Sequence, residues 1–276
     1  MVIHIGSSGI PLASKGGTTI DGINKIAELG LNAMEVAFTH GIYMSLKDAK
    51  GLGKAAKDLD VELSIHAPYY INLASEKAKV ITDSKKRIIE SLERGEMMGA
   101  TIVTAHAGYY GKDKDRAKQL ILEACQEISD HIEKKGWNIK FGPETMGKQK
   151  SWGSLDEIVS ISKKIKNIVP YLDPAHIYAG QGGQIDFKEI FDKLKVLKLK
   201  RYNSHYSGIK YSLVGIGKGN EKNHVPIREG GPDFRKFAKE ILKRKISITI
   251  VSESPILEVD ALYMKSILEK LGYKFN

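Results

Sequence analysis

Short β-rich segments alternate with amphipathic helical ones along the whole chain, and this unbroken alternation limits the possible folds more than any other feature. The strand candidates are Val2–Gly6, Ala33–Phe38, Glu62–His66, Thr101–His106, Ile139–Glu144, Val169–Asp173, Leu197–His205 and Ser247–Glu253. Each precedes a helical stretch, starting near Thr19, Lys47, Lys77, Asp115, Ser154, Phe187, Phe234 and Val259. Ser154 and Glu157 have capping-box spacing, Asp186 fits an N-cap, and Gly30, Gly99, Gly136 and Gly272 stand where helices should stop. No Pro/Ser/Gly-rich linker or low-complexity tract interrupts the pattern. It therefore predicts an α/β chain folded as a single (β/α)8 TIM barrel, one domain over residues 1–276, rather than two domains. An open doubly wound sheet would carry G-x-G-x-x-G after its first strand, and the pair Gly16-Gly17 lacks that spacing. One connection, from His205 to about Pro232, is long and rich in Gly, Lys and Asn. Loops of that size in a compact barrel tend to be functional.

A barrel places its chemistry at the C-terminal ends of the strands, so the residues that end each strand matter most. Strands three to eight end on His66, His106, Glu144, Asp173, His205 and Glu253. His176 follows three residues after Asp173, and His224 lies in the long loop. A lone histidine at a strand end is ordinarily a hydrogen-bonded structural residue. Here five of the chain's eight histidines share one rim with three carboxylates, which chance placement does not explain. Imidazole nitrogens and carboxylate oxygens are the ligands that zinc, manganese and iron share, and a site without thiolates points to catalysis rather than to a closed structural centre. Eight such residues exceed the needs of one ion. Two or three ions, with a carboxylate such as Glu144 bridging a pair, would use them all. Divalent ions roughly 3.5–4 Å apart are a common device for hydrolysing phosphate esters.

Composition narrows the partner. Lys plus Arg number 43 against 33 Asp plus Glu, a net charge of +10, which favours polyanions, nucleic acid first. Lys85-Lys86-Arg87, Lys163-Lys164 and Lys243-Arg244-Lys245 fall on helices away from the rim and read as solvated faces. Lys210, Lys218, Lys222 and Arg228 in the long loop are better candidates for phosphate contacts. The single cysteine, Cys125, excludes an intrachain disulfide and a multi-cysteine zinc site, and points to a reducing, cytoplasmic compartment. The N-terminus reads as a strand without a basic leader, and no apolar run is long enough to span a bilayer, so no membrane role is expected. Trp152, just after Glu144, could stack on a base or simply pack; Cys125 reads as core.

The order of these residues resembles endonuclease IV, the metal-dependent apurinic/apyrimidinic endonucleases built on a (β/α)8 barrel, over nearly the whole chain. The strongest local match is His66-Ala67-Pro68-Tyr69-Tyr70-Ile71-Asn72-Leu73-Ala74, similar to the family's His followed by Tyr-x-Ile-Asn-Leu. His106-Ala107-Gly108 resembles its His-Pro-Gly, Gly142-Pro143-Glu144-Thr145 its Glu-Asn-Thr, and Asp173-Pro174-Ala175-His176 its Asp-x-x-His. His224 with Glu229-Gly230-Gly231, and Ser252-Glu253-Ser254, resemble the last two elements. The resemblance implies one zinc on His66, His106 and Glu144, a second on Glu144, Asp173, His205 and Glu253, and a third on His176 and His224, with manganese as a possible substitute. It further implies hydrolysis of the phosphodiester 5′ to an abasic site in DNA, with Tyr69 entering the duplex beside the flipped-out nucleotide, and a monomeric enzyme.

The sequence also departs from that family. Lys222 stands where the family has an aspartate two residues before the last histidine, with Glu221 displaced by one. A lysine beside a cation is unfavourable, which leaves three outcomes for the third ion: weakened, replaced by the lysine charge, or absent. The Arg-containing loop after strand two is replaced by Thr39-His40-Gly41-Ile42-Tyr43-Met44. One rival reading is a one-metal sugar isomerase or epimerase of the xylose-isomerase-like barrels, which would need only Glu144, Asp173, His205 and Glu253. Another is a non-catalytic nucleic-acid-binding barrel. The extra imidazoles and the basic charge favour the hydrolase.

Overall fold

The computed structural model describes residues 1–275. Eight parallel strands form the barrel: β1 (Ile3–Ser8), β2 (Ala33–Ala37), β3 (Glu62–His66), β4 (Ile102–Ala105), β5 (Lys140–Pro143), β6 (Tyr171–Leu172), β7 (Tyr202–Tyr206) and β8 (Ile248–Ser252). Neighbours in sequence are neighbours in the sheet, and β8 pairs with β1, Ile3 opposite Ile248. Single bridges, Phe141 to Ile168 and Glu144 to Tyr171, join β5 to β6 and close the ring. The fold is a (β/α)8 TIM barrel. Ile3, Ile5, Ile65, Val103, Phe141, Ile248 and Ile250 are buried, as strands covered on both faces require.

The helices of the outer layer are α1 (Thr19–Glu28), α2 (Leu46–Asp58), α3 (Ala78–Met98), α4 (Lys114–Lys135), α5 (Leu155–Lys164), α6 (Pro174–Gly180), α7 (Phe187–Lys195), α8 (Phe234–Arg244) and α9 (Glu258–Lys270). Apart from α6, their starts are within a residue of those read from the sequence. Ser154 and Glu157 form the capping box, and Asp186 caps α7. Gly30, Gly99, Gly136 and Gly272 all take positive φ just past helix ends, where a Cβ would be strained. Cys125 lies in the core, and so does Trp152, which pairs with Gly108 across a two-residue ladder and packs rather than presenting a stacking face. No helix among the described residues is long and apolar enough to cross a membrane.

Three expectations need correction. The sixth strand is Tyr171–Leu172 rather than Val169–Asp173, because Pro170 has no N–H to give the ladder. The seventh starts at Tyr202 rather than Leu197, because Lys198 turns the chain with φ of 51°. The long connection after β7 is structured: strands Gly208–Gly215 and Lys218–Val225 pair as an antiparallel hairpin over the rim. One helix, α6, was not expected from the periodicity; it starts at Pro174 immediately after β6 and carries His176 in its first turn.

Candidate metal centre

The rim brings together all eight expected ligands. His66 ends β3 and His205 lies within β7, while His106, Glu144, Asp173 and Glu253 each stand one residue beyond β4, β5, β6 and β8. Asp173 caps α6, accepting a hydrogen bond at 3.0 Å from the His176 backbone N–H, and Pro174 at the first helical position needs no donor there. The hairpin lowers His224 onto the same side. Three groups result: His66, His106 and Glu144; Glu144, Asp173, His205 and Glu253; and Asp173, His176 and His224. Within each group the donor atoms lie within 4.8 Å of one another.

Glu144 stands between the first two groups. One oxygen, Oε2, faces His66 Nε2 at 3.6 Å and His106 Nε2 at 3.3 Å. The other, Oε1, lies 3.0 Å from His205 Nδ1 and 3.4 Å from His176 Nδ1. The carboxylate is fully buried, and burial alone would push its pKa up. The charges of His205 and His106 outweigh that and hold it well below the usual range. Conversely, burial disfavours the charged form of His66, yet the nearby Glu144 and Glu35 carboxylates lift its imidazole to about 9. His176 and His205 rise as well, because the carboxylates around them outweigh their own burial.

Most of the imidazoles are held by one nitrogen and face the carboxylates with the other. Nδ1 of His66 meets the Ala67 carbonyl at 2.7 Å, Nδ1 of His176 the Thr145 carbonyl at 3.0 Å, and Nδ1 of His224 the Ser207 hydroxyl at 2.6 Å. His205 is turned the other way, with Nδ1 toward the rim and Nε2 2.9 Å from Glu35 Oε1. Four buried atoms on the inner side have no hydrogen-bond partner: His66 Nε2, Glu144 Oε2, Asp173 Oδ2 and Glu253 Oε2. Leaving such groups unpaired in a protein interior is costly. Their convergence fits divalent cations, the species that would satisfy imidazole and carboxylate donors together.

Two residues that matter here were not picked out as ligand candidates in the sequence. Glu35, in the middle of β2, is fully buried beneath the rim. Its signal was a carboxylate inside the otherwise apolar run Ala33-Met34-Glu35-Val36-Ala37, since a charge within a buried strand must be paired. Glu221 was visible only as the acidic neighbour of Lys222. In the hairpin Lys210 pairs with Asn223 but Tyr211 pairs with Glu221, which leaves Lys222 as the extra residue of a bulge. The bulge reverses the alternation, so that Glu221 and His224 share the inner face. Glu221 Oε2 is 3.6 Å from His176 Nε2 and accepts the Gly147 N–H at 2.8 Å. Lys222 is exposed and shares a shallow outer hollow with Lys210, Tyr178 and Tyr211. The expectation of a lysine charge pressing on the third group is therefore corrected.

Of the other contact candidates, Tyr69 is 59% exposed, its ring centroid 5.8 Å from that of His66. His40, from the loop after β2, packs edge-on to Tyr69 at 6.2 Å. Lys210 and Lys218 are exposed on the hairpin. Arg228 is also exposed, but its guanidinium stacks on Tyr263 of α9 at 4.2 Å, away from the ligand groups.

A family model described as the xylose isomerase-like TIM barrel matches residues 23–267. An uncharacterized protein of Methanocaldococcus jannaschii is 31% identical over 280 residues, 98% of either chain. A probable endonuclease 4 of Sulfurihydrogenibium sp. is 32% identical over 138 residues, 48% of either chain. Among solved structures, a D-tagatose 3-epimerase-like protein superimposes with a TM-score of 0.74 at 22% identity, covering 98% of this chain and 96% of the other. Endonuclease IV from Thermus thermophilus does so with a TM-score of 0.67 at 18% identity, covering 98% and 100%. At these identities the structural likenesses speak for the fold alone.

Proposed function

The chain belongs to the xylose isomerase-like TIM barrel family, and on that premise we propose that it is a metal-dependent phosphodiester hydrolase that cuts DNA 5′ to abasic sites. The observation that carries this reading is the convergence of three ligand groups on one rim, with five imidazoles among them. A one-metal sugar enzyme has no use for His66, His106, His176 and His224. The stretch of likeness to endonuclease 4 proteins points the same way.

In this reading His66, His106 and Glu144 hold one ion, Glu144, Asp173, His205 and Glu253 a second, and His176 and His224 a third, with Glu221 in reach of it. Zinc or manganese bound there would polarise a phosphoryl oxygen and acidify a water. Glu144 is the residue on which catalysis depends most, because its two oxygens face different groups and fix their spacing. The backbone carbonyls behind His66 and His176 and the Ser207 hydroxyl behind His224 hold the rings in place. Tyr69, exposed beside His66, offers an aromatic face to a base or to the gap left by a missing one. An abasic nucleotide is already unpaired, so drawing it out of the stack costs less than flipping a normal one. Lys210 and Lys222 on the hairpin meet the phosphate backbone. Arg228, committed to Tyr263, takes a lesser part.

A labelled duplex with one abasic analogue tests this. The expected result is a single cut 5′ to the lesion, dependent on zinc or manganese, absent in Glu144→Gln, and weakening steeply as salt rises. A second reading is favoured by the Glu144, Asp173, His205 and Glu253 group, which could by itself hold one ion for ketose epimerisation. Folded, metal-loaded protein that leaves the duplex intact and converts a ketose would replace the first reading with the second.

A further inference from the structure

Glu35 is fully buried, lies on a strand whose C-terminal end supplies no ligand, and bonds to four other strands or their ends. Its Oε1 accepts from Ser8 Oγ of β1 at 2.7 Å and His205 Nε2 of β7 at 2.9 Å. Its Oε2 accepts from the Tyr171 hydroxyl of β6 at 3.0 Å and Ser64 Oγ of β3 at 3.3 Å. Among the described residues, His205 is the one imidazole bonded to Glu35, with the charge of His66 acting on it more weakly from further off. Burying a carboxylate costs several kcal/mol even after relaxation, and an apolar side chain would fill the middle of a strand at no such cost. A purely structural account therefore explains the hydrogen bonds but not the charge.

His205 differs from His66, His176 and His224 in what holds its ring. Those three lean on a carbonyl or a hydroxyl. His205 alone leans on a carboxylate, and with Nε2 held there it presents Nδ1 to Glu144 and Glu253. An N–H bonded to a carboxylate fixes the tautomer, leaves the opposite nitrogen's lone pair free, and makes that nitrogen a stronger donor to a metal. The group that includes His205 also has three carboxylates, Glu144, Asp173 and Glu253, the most negative set of the three.

We infer that Glu35 is a positioning residue that locks the His205 tautomer and makes the Glu144, Asp173, His205 and Glu253 group the tightest of the metal sites, so that ions load there first. The inference rests on the rim holding divalent ions and is independent of whether the substrate is DNA. Glu35 shares a hydrogen bond with His205 and with none of His66, His176 or His224; its charge also reaches His66 through space, but less strongly than it reaches His205.

The test is a titration of chelator-stripped protein with Co2+, followed by its visible absorption, and with Zn2+ in competition with a chromophoric chelator. Glu35→Gln keeps the shape, but its amide has no charge and can turn an N–H toward His205, which would place the proton on the metal-facing nitrogen. The expected result is a tightest step weakened about 10- to 100-fold in Glu35→Gln, with a shifted cobalt band for that step and the remaining steps moved by no more than a few-fold. Tyr171→Phe removes one donor but keeps the charge, and should move the same step by only a few-fold. The melting of the metal-free variants separates folding from ligation, and Glu35→Gln serves if a harsher substitution such as Glu35→Ala does not fold. An unchanged tightest step in a folded Glu35→Gln overturns the inference, as does equal weakening of every step in proportion to lost thermal stability. Wild-type protein that takes up no ion in either titration overturns the metal reading as well.

Discussion

At the floor of the barrel Glu62 is met by Arg201, His4 and Thr249, whereas at the rim Glu144, Asp173 and Glu253 each leave an oxygen without a partner. Both ends combine histidine with carboxylate, and their electrostatics run in opposite directions. On the floor, burial and the charge of Arg201 push the His4 imidazole below its ordinary value. On the rim the carboxylates outweigh burial and push His66, His176 and His205 up. The floor already contains its cation, and Glu62 is paired there with the Arg201 guanidinium and the Thr249 hydroxyl. The rim is buried in parts, and its carboxylates face imidazoles, with no lysine or arginine paired to Glu144, Asp173 or Glu253 among the described residues. Counting ligand-type residues would not distinguish these two clusters, but asking which buried carboxylate oxygens remain unpaired does, since those of Glu144, Asp173 and Glu253 do and those of Glu62 do not.

The largest effect should come from the residue that joins two rim groups. Glu144→Gln should reduce metal-dependent cleavage of an abasic duplex by about a hundred- to a thousandfold, on the scale of losing a preorganised electrostatic contact. Because the same carboxylate offsets the buried imidazoles, the metal-free variant should also melt lower, so single-turnover cleavage is compared at a temperature where the melting curves show both proteins folded.

Next is the floor, where the opposite pattern is expected. Arg201→Met leaves Glu62 without its full cation and should cost about 1–3 kcal/mol of stability, between the limits for exposed and buried pairs. Metal content should not move. Denaturant unfolding together with metal analysis would read the two, and a loss of bound metal in this variant would erase the distinction between the ends.

Acidity sharpens the contrast further. In the metal-free protein His66 has its pKa raised from 6.5 to about 9, so its stabilising contribution is complete below 6.5 and is lost as pH rises through about 9. Stability of the metal-free protein should therefore fall across that window. Metal must displace the same protons, so metal affinity should rise over the same window. Melting curves with and without zinc between pH 6 and about 9.5 should diverge upward; parallel curves would count against proton–metal competition at His66.

The smallest effects separate two neighbours on the hairpin. Glu221→Gln should weaken one metal-binding step and spare the rest, because Glu221 faces His176. Lys222→Ala should leave every step intact and lower the salt dependence of DNA binding by about one phosphate contact. The reverse pattern would mean that the bulge does not turn these side chains as described.

Most of the barrel was legible because each strand and helix carries its own period, and seven of the eight candidate ligands stood out because they close strands or follow them at short spacing, while His224 stood out as the histidine of the long connection. What was missed depends on relations between segments. Ile209, Tyr211 and Leu213 alternate with Lys210 and Ser212 as a strand should, yet the abundance of Gly, Lys and Asn made the hairpin read as a loop. The bulge at Lys222 has no glycine to announce it, and a one-residue shift reverses which side chain faces the site. Glu35 was overlooked because attention to strand ends passes over the middle of a strand. Its meaning appears only when Ser8, Ser64, Tyr171 and His205 arrive from four other parts of the chain. Pro170, which shortens β6, and Lys198, which delays β7, acted through backbone geometry rather than through hydrophobic pattern.

The central claim is that the rim gathers a cluster of ions where the floor holds a finished ion pair. Equilibrium dialysis of chelator-stripped protein against zinc, with metal counted per chain, tests it most directly. The account predicts two or three ions per wild-type chain, falling by at least one in Glu144→Gln and unchanged in Arg201→Met. One ion per wild-type chain would contradict it and leave the Glu144, Asp173, His205 and Glu253 group as a solitary site.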